Sequence, residues 1–322
     1  LSGKHTDGTL PQVFWVAKGG ADGVANSSRN DPLLTANGSF GAFSQCVDGR
    51  GDRVIVGPGI WRENWDFGSG TGTTGTAGRM NKRDLGIYGS GGMHVGRTQV
   101  VGDGTTTGPT IRVRDGYARG FILSDVEVGS VTTADVDRAL PLMDIETNDD
   151  AALTANSSDE WITLQRVRYD GGGTGTVGLI LTGTTMLRAL GLELAQCTYG
   201  VFFRGSASNN PEVCQFEEID FHDNVTADVA SGTMGGPTDY GAISVGAQNM
   251  TNVVFTRARH WDSGGTPVTN YINIPGGSTV VNVGWMDAWF ARDVANGTLI
   301  VTMPTSMFIV GQSGGGQESL IG

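Results

Sequence analysis

Short apolar strands recur along most of this chain, and the segments between them are too rich in glycine to be helical. Thr110–Val113, Leu142–Ile145, Gly178–Leu181, Gly200–Phe203, Ala242–Val245, Tyr271–Ile274 and Thr298–Val301 start 32, 36, 22, 42, 29 and 27 residues apart. Most are followed by a second strand: Phe121–Val128, Trp161–Tyr169, Met186–Leu194, Gln215–Phe221 and Asn252–His260. Glycine makes up 52 of 322 residues, roughly twice ordinary usage. Each glycine in a helix interior costs about 1 kcal/mol relative to alanine, so long helical bundles are excluded. The glycines follow no three-residue period, which excludes collagen. A hydrophobic content of 38% excludes disorder. Coils of 22 to 42 residues with two or three strands and glycine-rich corners predict an all-β right-handed parallel β-helix.

Equivalent residues of successive coils in such a solenoid stack about 4.8 Å apart, so outward charges should complement one another from coil to coil. With Ile111 and Val113 aligned on Met143 and Ile145, Arg112 and Arg114 face Asp144 and Glu146, both at offset 32. With Val126 and Val128 aligned on Val167 and Tyr169, Asp125 and Glu127 face Arg166 and Arg168 at offset 41. A third alignment puts Asp220 and His222 against Arg257 and Arg259 at offset 37. Glycines such as Gly59, Gly89, Gly129 and Gly183 then read as corners that need positive φ.

Residues 1–12 read as an extended N-terminal arm, 13–301 as the β-helix with its cap over 13–50, and 302–322 as a C-terminal strand and flexible tail. A capping helix is expected at Ser39–Val47, with Asn37 or Ser39 as its cap and Phe40, Phe43 and Val47 on one face. Net charge is −12, and only three residues are lysine. That balance argues against binding nucleic acid through phosphates and against docking on anionic membrane. Cys46, Cys197 and Cys214 are too sparse for a disulfide framework and read as buried thiols, with a Cys197–Cys214 pairing left open. No zinc spacing occurs, and no cofactor is expected.

One stretch carries a resemblance. Val13–Val16, Gly20–Gly23, Asp31–Pro32, Phe40–Cys46, Gly51–Gly59 and Trp61–Glu63 resemble the opening of right-handed parallel β-helix proteins of the pectate-lyase-like superfamily. Asp84–Gly89 resembles the coil that follows. The pattern is closest in flavour to β-helix virion proteins of tailed bacteriophages. That resemblance implies a non-enzymatic structural protein on the capsid surface, decorating or cementing the lattice. Its implied partners are the major capsid protein lattice, other virion proteins, two further copies in a homotrimer, and a surface glycan. The alternatives are a phage tailspike or secreted polysaccharide-degrading enzyme, a lyase or glycosidase, and a carbohydrate-binding adhesin. Lyases of this superfamily use a calcium site of clustered acids with a basic residue on a neighbouring coil. No residue pattern here matches that arrangement, so lyase activity is not carried over.

Several residues are candidates for chemistry. Asp144, Glu146, Asp149 and Asp150 form the densest acidic cluster, able to offer oxygen ligands to Ca²⁺ or to pair with Arg112 and Arg114 as an ion ladder. Glu217, Glu218, Asp220, His222 and Asp223 come next, because a glycosidase needs two carboxylates beside the sugar bond. For an enzyme, the catalytic candidates are Asp144, Glu146, Asp220 and Asp223. Trp261, Tyr271, Trp285, Trp289 and Phe290 concentrate aromatics near the C-terminus, as a carbohydrate platform, a subunit interface or core. Leu1, Leu10, Trp261, Trp285, Trp289, Leu320 and Ile321 are the interface candidates. Arg50–Asp52 spells an adhesion tripeptide but sits in a turn before a strand, and reads as structural.

Overall fold

Three parallel sheets, each built from one strand per coil, wrap around a single core in the computed structural model of the chain. The structure describes residues 10–18, 36, 41–47, 49–67, 84–90, 97–102, 109–114, 120–129, 141–146, 161–172, 176–183, 186–204, 211–233, 244–263, 268–275, 278–290, 301–302 and 307–310. The first sheet takes Val13–Val16, Arg53–Val56, Gly86–Gly89, Ile122–Ser124, Ile162–Gln165, Leu187–Leu190, Glu212–Glu217, Met250–Thr256, Gly284–Met286 and Phe308–Val310 in that spatial order. The second takes Gly59–Arg62, Thr98–Val101, Val126–Gly129, Arg168–Asp170, Glu193–Ala195, Asp220–His222, Arg259–Trp261 and Trp289–Phe290. The third takes Trp65–Phe67, Ile111–Arg114, Met143–Glu146, Val177–Thr182, Tyr199–Arg204, Ala227–Thr233, Asn270–Asn273 and Val301–Thr302. This is the right-handed parallel β-helix expected from the strand repeat.

The corner between the first and second sheets sets the register. In six successive coils a single left-handed residue turns the chain: Asp125, Arg166, Gly191, Glu218, Arg257 and Asp287, with φ between 50° and 64°. The residue after it points inward each time, as Val126, Val167, Leu192, Ile219, Ala258 and Ala288, all buried. Backbone N–H groups carry the ladder through the bend, from Asp125 to Gln165, Arg166 to Leu190 and Glu218 to Thr256. The expected second strands are therefore each two strands of different sheets. Glycine is not the usual corner residue here. Five of the six are charged side chains, for which the left-handed region is normally uncommon. Glycine at Gly129 answers a different need, because its φ is not positive. A Cβ there would stand 2.3 Å from the carbonyl oxygen of Asp170 on the next coil.

Two of the three charge alignments are observed. Arg112 pairs in register with Asp144 and Arg114 with Glu146; Glu127 pairs with Arg168, and Arg166 holds Asp125 at 2.6 Å. The third is off by two residues: Asp220 lies opposite Arg259, and His222 opposite Trp261. Glu218 and Arg257 occupy the corner, so the offset is 39. The outer face of the third sheet also differs from expectation. Asp144 is fully buried there, beside an apolar patch of Val177, Ile180, Tyr199, Phe202, Ala227 and Ala230 with Val245 against it. Ser244–Val245 is not the next coil of that sheet. It runs antiparallel to Ala227–Thr233, the true coil, whose small residues give little apolar signal.

Aromatic stacks fill the C-terminal half of the core. Phe255 lies face to face with Phe216 at 4.4 Å and with Trp285 at 4.9 Å. His260 lies between Phe221 at 4.8 Å and Phe290 at 4.6 Å. Both stacks follow from parallel register, which sets equivalent residues one strand spacing apart. The capping helix is shorter than expected, at Ala42–Gln45, with Gly41 as N-cap and no side-chain cap. Val47 lies beyond it and is exposed, while Asn37, Ser39 and Phe40 fall outside the described residues. Asp52 of the Arg50–Asp52 turn is buried. It accepts hydrogen bonds from the backbone of Gln12 and Val47 and from the Arg50 guanidinium, so the tripeptide is structural.

Candidate functional site

Outward residues of the second sheet form one continuous row: Gln99, Glu127, Arg168, Glu193, Asp220, Arg259 and Trp289, each register-paired with the next. A second row beside it runs Asp170, Ala195, His222 and Trp261. Opposite charges face one another at Glu127–Arg168–Glu193 and at Asp220–Arg259, as complementary cross-strand pairing favours, whereas Glu193 and Asp220 set two acids side by side. Gln99 donates to Glu127 at 2.7 Å, and Arg97 also pairs with Glu127. Burial pushes the Glu127 carboxyl up to about 7, against the pull of Arg97 and Arg168. Arg168 contacts Asp170 at 3.1 Å and Glu193 at 3.4 Å.

Farther along, the rows open into a shallow groove of about 330 Å³ lined by Gly191, Leu192, Glu193, Glu218, Asp220, Arg257 and Arg259. It runs beside the left-handed corner, which supplies Gly191, Glu218 and Arg257. Asp220 accepts from Arg259 Nη2 at 2.6 Å and from the Trp261 indole N–H at 2.7 Å. Glu193 Oε1 faces His222 Nε2 at 3.0 Å. On its other side, His222 Nδ1 faces Asp223 Oδ2 at 3.0 Å. Asp223 Oδ1 accepts from both the backbone N–H and the hydroxyl of Ser263. Burial alone would raise the Asp223 carboxyl, but the bonds from His222 and Ser263 outweigh it and hold it low. Arg257 binds Glu217 and Glu218 at the rim.

A serine, a histidine and an aspartate thus meet here without forming a nucleophilic triad. The Ser263 hydroxyl bonds the carboxylate rather than the imidazole, so no base stands ready to take its proton. What the groove does offer is two carboxylates, Glu193 and Asp220, at register-paired positions of adjacent coils. Strand spacing sets their backbones about 4.8 Å apart.

The structure brings Asp220 and Asp223 together but separates them from Asp144 and Glu146, which lie on the third sheet. Asp144 is fully buried opposite Arg112, and Asp149 and Asp150 fall outside the described residues. Among the described residues no three His, Cys, Asp or Glu side chains gather as a metal site. Trp285 is withdrawn as an interface residue, because it is fully buried in the aromatic stack. Its spacing from Trp289 does not make a shared face, since the two lie in different sheets. Trp261 and Trp289 stay half-buried on the outer face, and Leu10 is exposed; Leu1, Leu320 and Ile321 fall outside the described residues. Cys46, Cys197 and Cys214 are free and buried, so the Cys197–Cys214 pairing does not occur. Sequence reasoning passes over Glu193, although Leu192-Glu193-Leu194 alternates as a strand with one outward acid. It also passes over Trp161, which is 63% exposed.

No protein-family description matches the sequence, and no curated protein matches it. Two solved structures share its outline: pectin methylesterase PemA from Erwinia chrysanthemi and a pectin methylesterase in complex with hexasaccharide VII. The first has a TM-score of 0.39 and 12% identity, the second 0.37 and 13%. Both alignments cover 97% of this chain and 92% of the other. At these values the likeness transfers no residue roles. Both neighbours are nevertheless enzymes, and the expectation of a non-enzymatic chain is withdrawn on that finding.

Proposed function

We propose that this chain is a polysaccharide-modifying enzyme that works at the groove of Glu193 and Asp220. The observation that carries the reading is the placement of two carboxylates on adjacent coils of one open groove. Such a pair, its backbones one strand spacing apart, suits hydrolysis of a glycosidic bond through a nucleophile and an acid. Asp220, oriented by Arg259 and the Trp261 indole, is the nucleophile. Glu193, ionised at rest beside the His222 imidazolium, takes the His222 Nε2 proton as it protonates the leaving oxygen, so the proton passes from His222 through Glu193 to the leaving group. The Trp261 ring and the row of hydroxyl-binding charges give a sugar chain its footing.

The test is a screen of acidic and neutral bacterial polysaccharides for release of reducing ends by the full chain. Asp220→Asn is expected to lower the rate at least 100-fold, the loss typical of a covalent role. Unimpaired turnover by Asp220→Asn, or binding of glycans with no turnover of any, would overturn the proposal. For location we retain the virion surface, with capsid-lattice partners and a homotrimer, supported by the N-terminal sequence resemblance. Its copy number in purified particles and its mass by light scattering test that placement.

A further inference from the structure

His222 stands at the junction of the groove's two carboxylates, and its surroundings fix its charge by geometry. Each ring nitrogen faces a carboxylate oxygen at 3.0 Å, Nε2 toward Glu193 and Nδ1 toward Asp223. Ionised carboxylates only accept hydrogen bonds, and a neutral imidazole has a single N–H. Both contacts are hydrogen bonds only if both nitrogens carry protons. The ring also stacks on Trp261, with centroids 4.8 Å apart and planes 22° from parallel. That indole donates its N–H to Asp220.

We infer that His222 is a positioning residue held as an imidazolium, fixing Glu193 directly and Asp220 through the stacked Trp261 indole. The inference rests on the reading of this groove as the reactive site and names the residue that couples its two carboxylates. Asp223 is aimed at the ring by its left-handed backbone, φ 54°, and pinned from the next coil by Ser263. The charged groups around the ring are predominantly acidic. Glu193 stands before it, Asp223 follows it, Asp220 shares its strand, and Asp228 acts on it from the third sheet. Arg168, one coil beyond, reaches Glu193 rather than the ring. Burial works against the charge, but the bonds from Glu193 and Asp223 outweigh it and raise His222 to about 9. The link is therefore intact below that pH and lost as pH rises through it.

Nuclear magnetic resonance of the full chain tests this without any substrate. The His222 ring signals, assigned by their absence in His222→Phe, should titrate with a midpoint at about 9. The Trp261 indole N–H should shift with the same midpoint, and that shift should vanish in His222→Phe. A ring midpoint at or below the ordinary value of about 6.5, or an indole signal silent through the His222 titration, would overturn the inference. The wild-type titration decides even if His222→Phe fails to fold, because Trp261→Phe then identifies the indole signal. If turnover is found, His222→Phe should lower kcat roughly 10–100-fold with KM within about 3-fold, as positioning losses do. It should also abolish the alkaline limb of the rate profile. Should no glycan be turned over, the proposed function fails while the two titrations still decide the coupling.

Discussion

Replacing Phe255 by alanine should be among the most damaging single changes in this protein, for reasons visible in the core. The ring is fully buried and covered on both faces, by Phe216 at 4.4 Å and Trp285 at 4.9 Å. The rings of Phe203 and Phe221 approach it from the sides. Phe→Ala in a core costs about 3–5 kcal/mol, the larger values arising where the cavity cannot collapse. Here it cannot, because backbone hydrogen bonds lock the neighbouring coils in register on both sides. Two broken face contacts add about 0.5–1.5 kcal/mol each, for a total of roughly 6–8 kcal/mol. Phe255→Leu fills most of the cavity but loses the same two ring contacts, so it should cost about 1–3 kcal/mol. Urea unfolding followed by tryptophan fluorescence and by circular dichroism measures both. Fluorescence reports locally, since Trp285 lies on the deleted ring, whereas circular dichroism reports the whole solenoid. A solenoid unfolds coil by coil when its neighbour couplings are weakened, so the two probes should part in Phe255→Ala and coincide in the wild type. A loss below about 1.5 kcal/mol, or Phe255→Leu as harmful as Phe255→Ala, would refute the stacked-core reasoning.

Two further tests address backbone and charge. Gly129→Ala should destabilise strongly, by several kcal/mol as overpacking does, because its Cβ meets a carbonyl oxygen at 2.3 Å. Gly191→Asn should be near neutral despite φ +64°, since the nearest atom to its Cβ is Arg166 Cγ at 3.7 Å and asparagine tolerates that conformation; thermal melts of the two variants should separate clearly. Glu127 binds its proton more tightly folded than unfolded, so its contribution falls as pH rises from about 4.5 to about 7. Glu127→Gln should therefore gain stability relative to wild type at pH 8 compared with pH 5, and an equal difference at both would contradict the assignment.

Much of the fold is legible in the sequence because coil stacking leaves long-range signals in short strings. Arg112 against Asp144 and Asp125 against Arg166 follow from inward apolar alternation alone. The same alternation leaves the register at Arg257 undecided, because a slip of two residues keeps every inward position inward. What sets it is the left-handed corner, which places Glu218 opposite Arg257. Nothing in the residue type announces it, since the conformation is imposed by the ladder on either side rather than by glycine. Ala227–Thr233 escapes notice for a related reason. Its neighbours Tyr199 and Phe202 supply the bulk, leaving small residues in the strand itself. At the candidate site, Asp220, His222 and Asp223 are visible as a cluster. Glu193 is distant in sequence and adjacent only after the coil closes. The coupling of His222 to Trp261 needs the two-residue correction in register before it exists at all.

The one-residue corner has a consequence for how this solenoid could diversify. Between the other sheets the connections vary freely, from the few residues linking Ala195 to Tyr199 to the long path from Gly129 to Met143. Along the first edge, from Ser124 to Trp289, every coil turns with the same single left-handed residue. An insertion there would break six stacked bends, so new loops are confined to the other two edges. Over those six coils the described residues leave this edge with no inserted loop, and the groove is set beside it. An extended chain lying along the six bends would meet the same one-residue turn at each coil, and variants with loops grafted at the other two edges should leave that stretch unchanged.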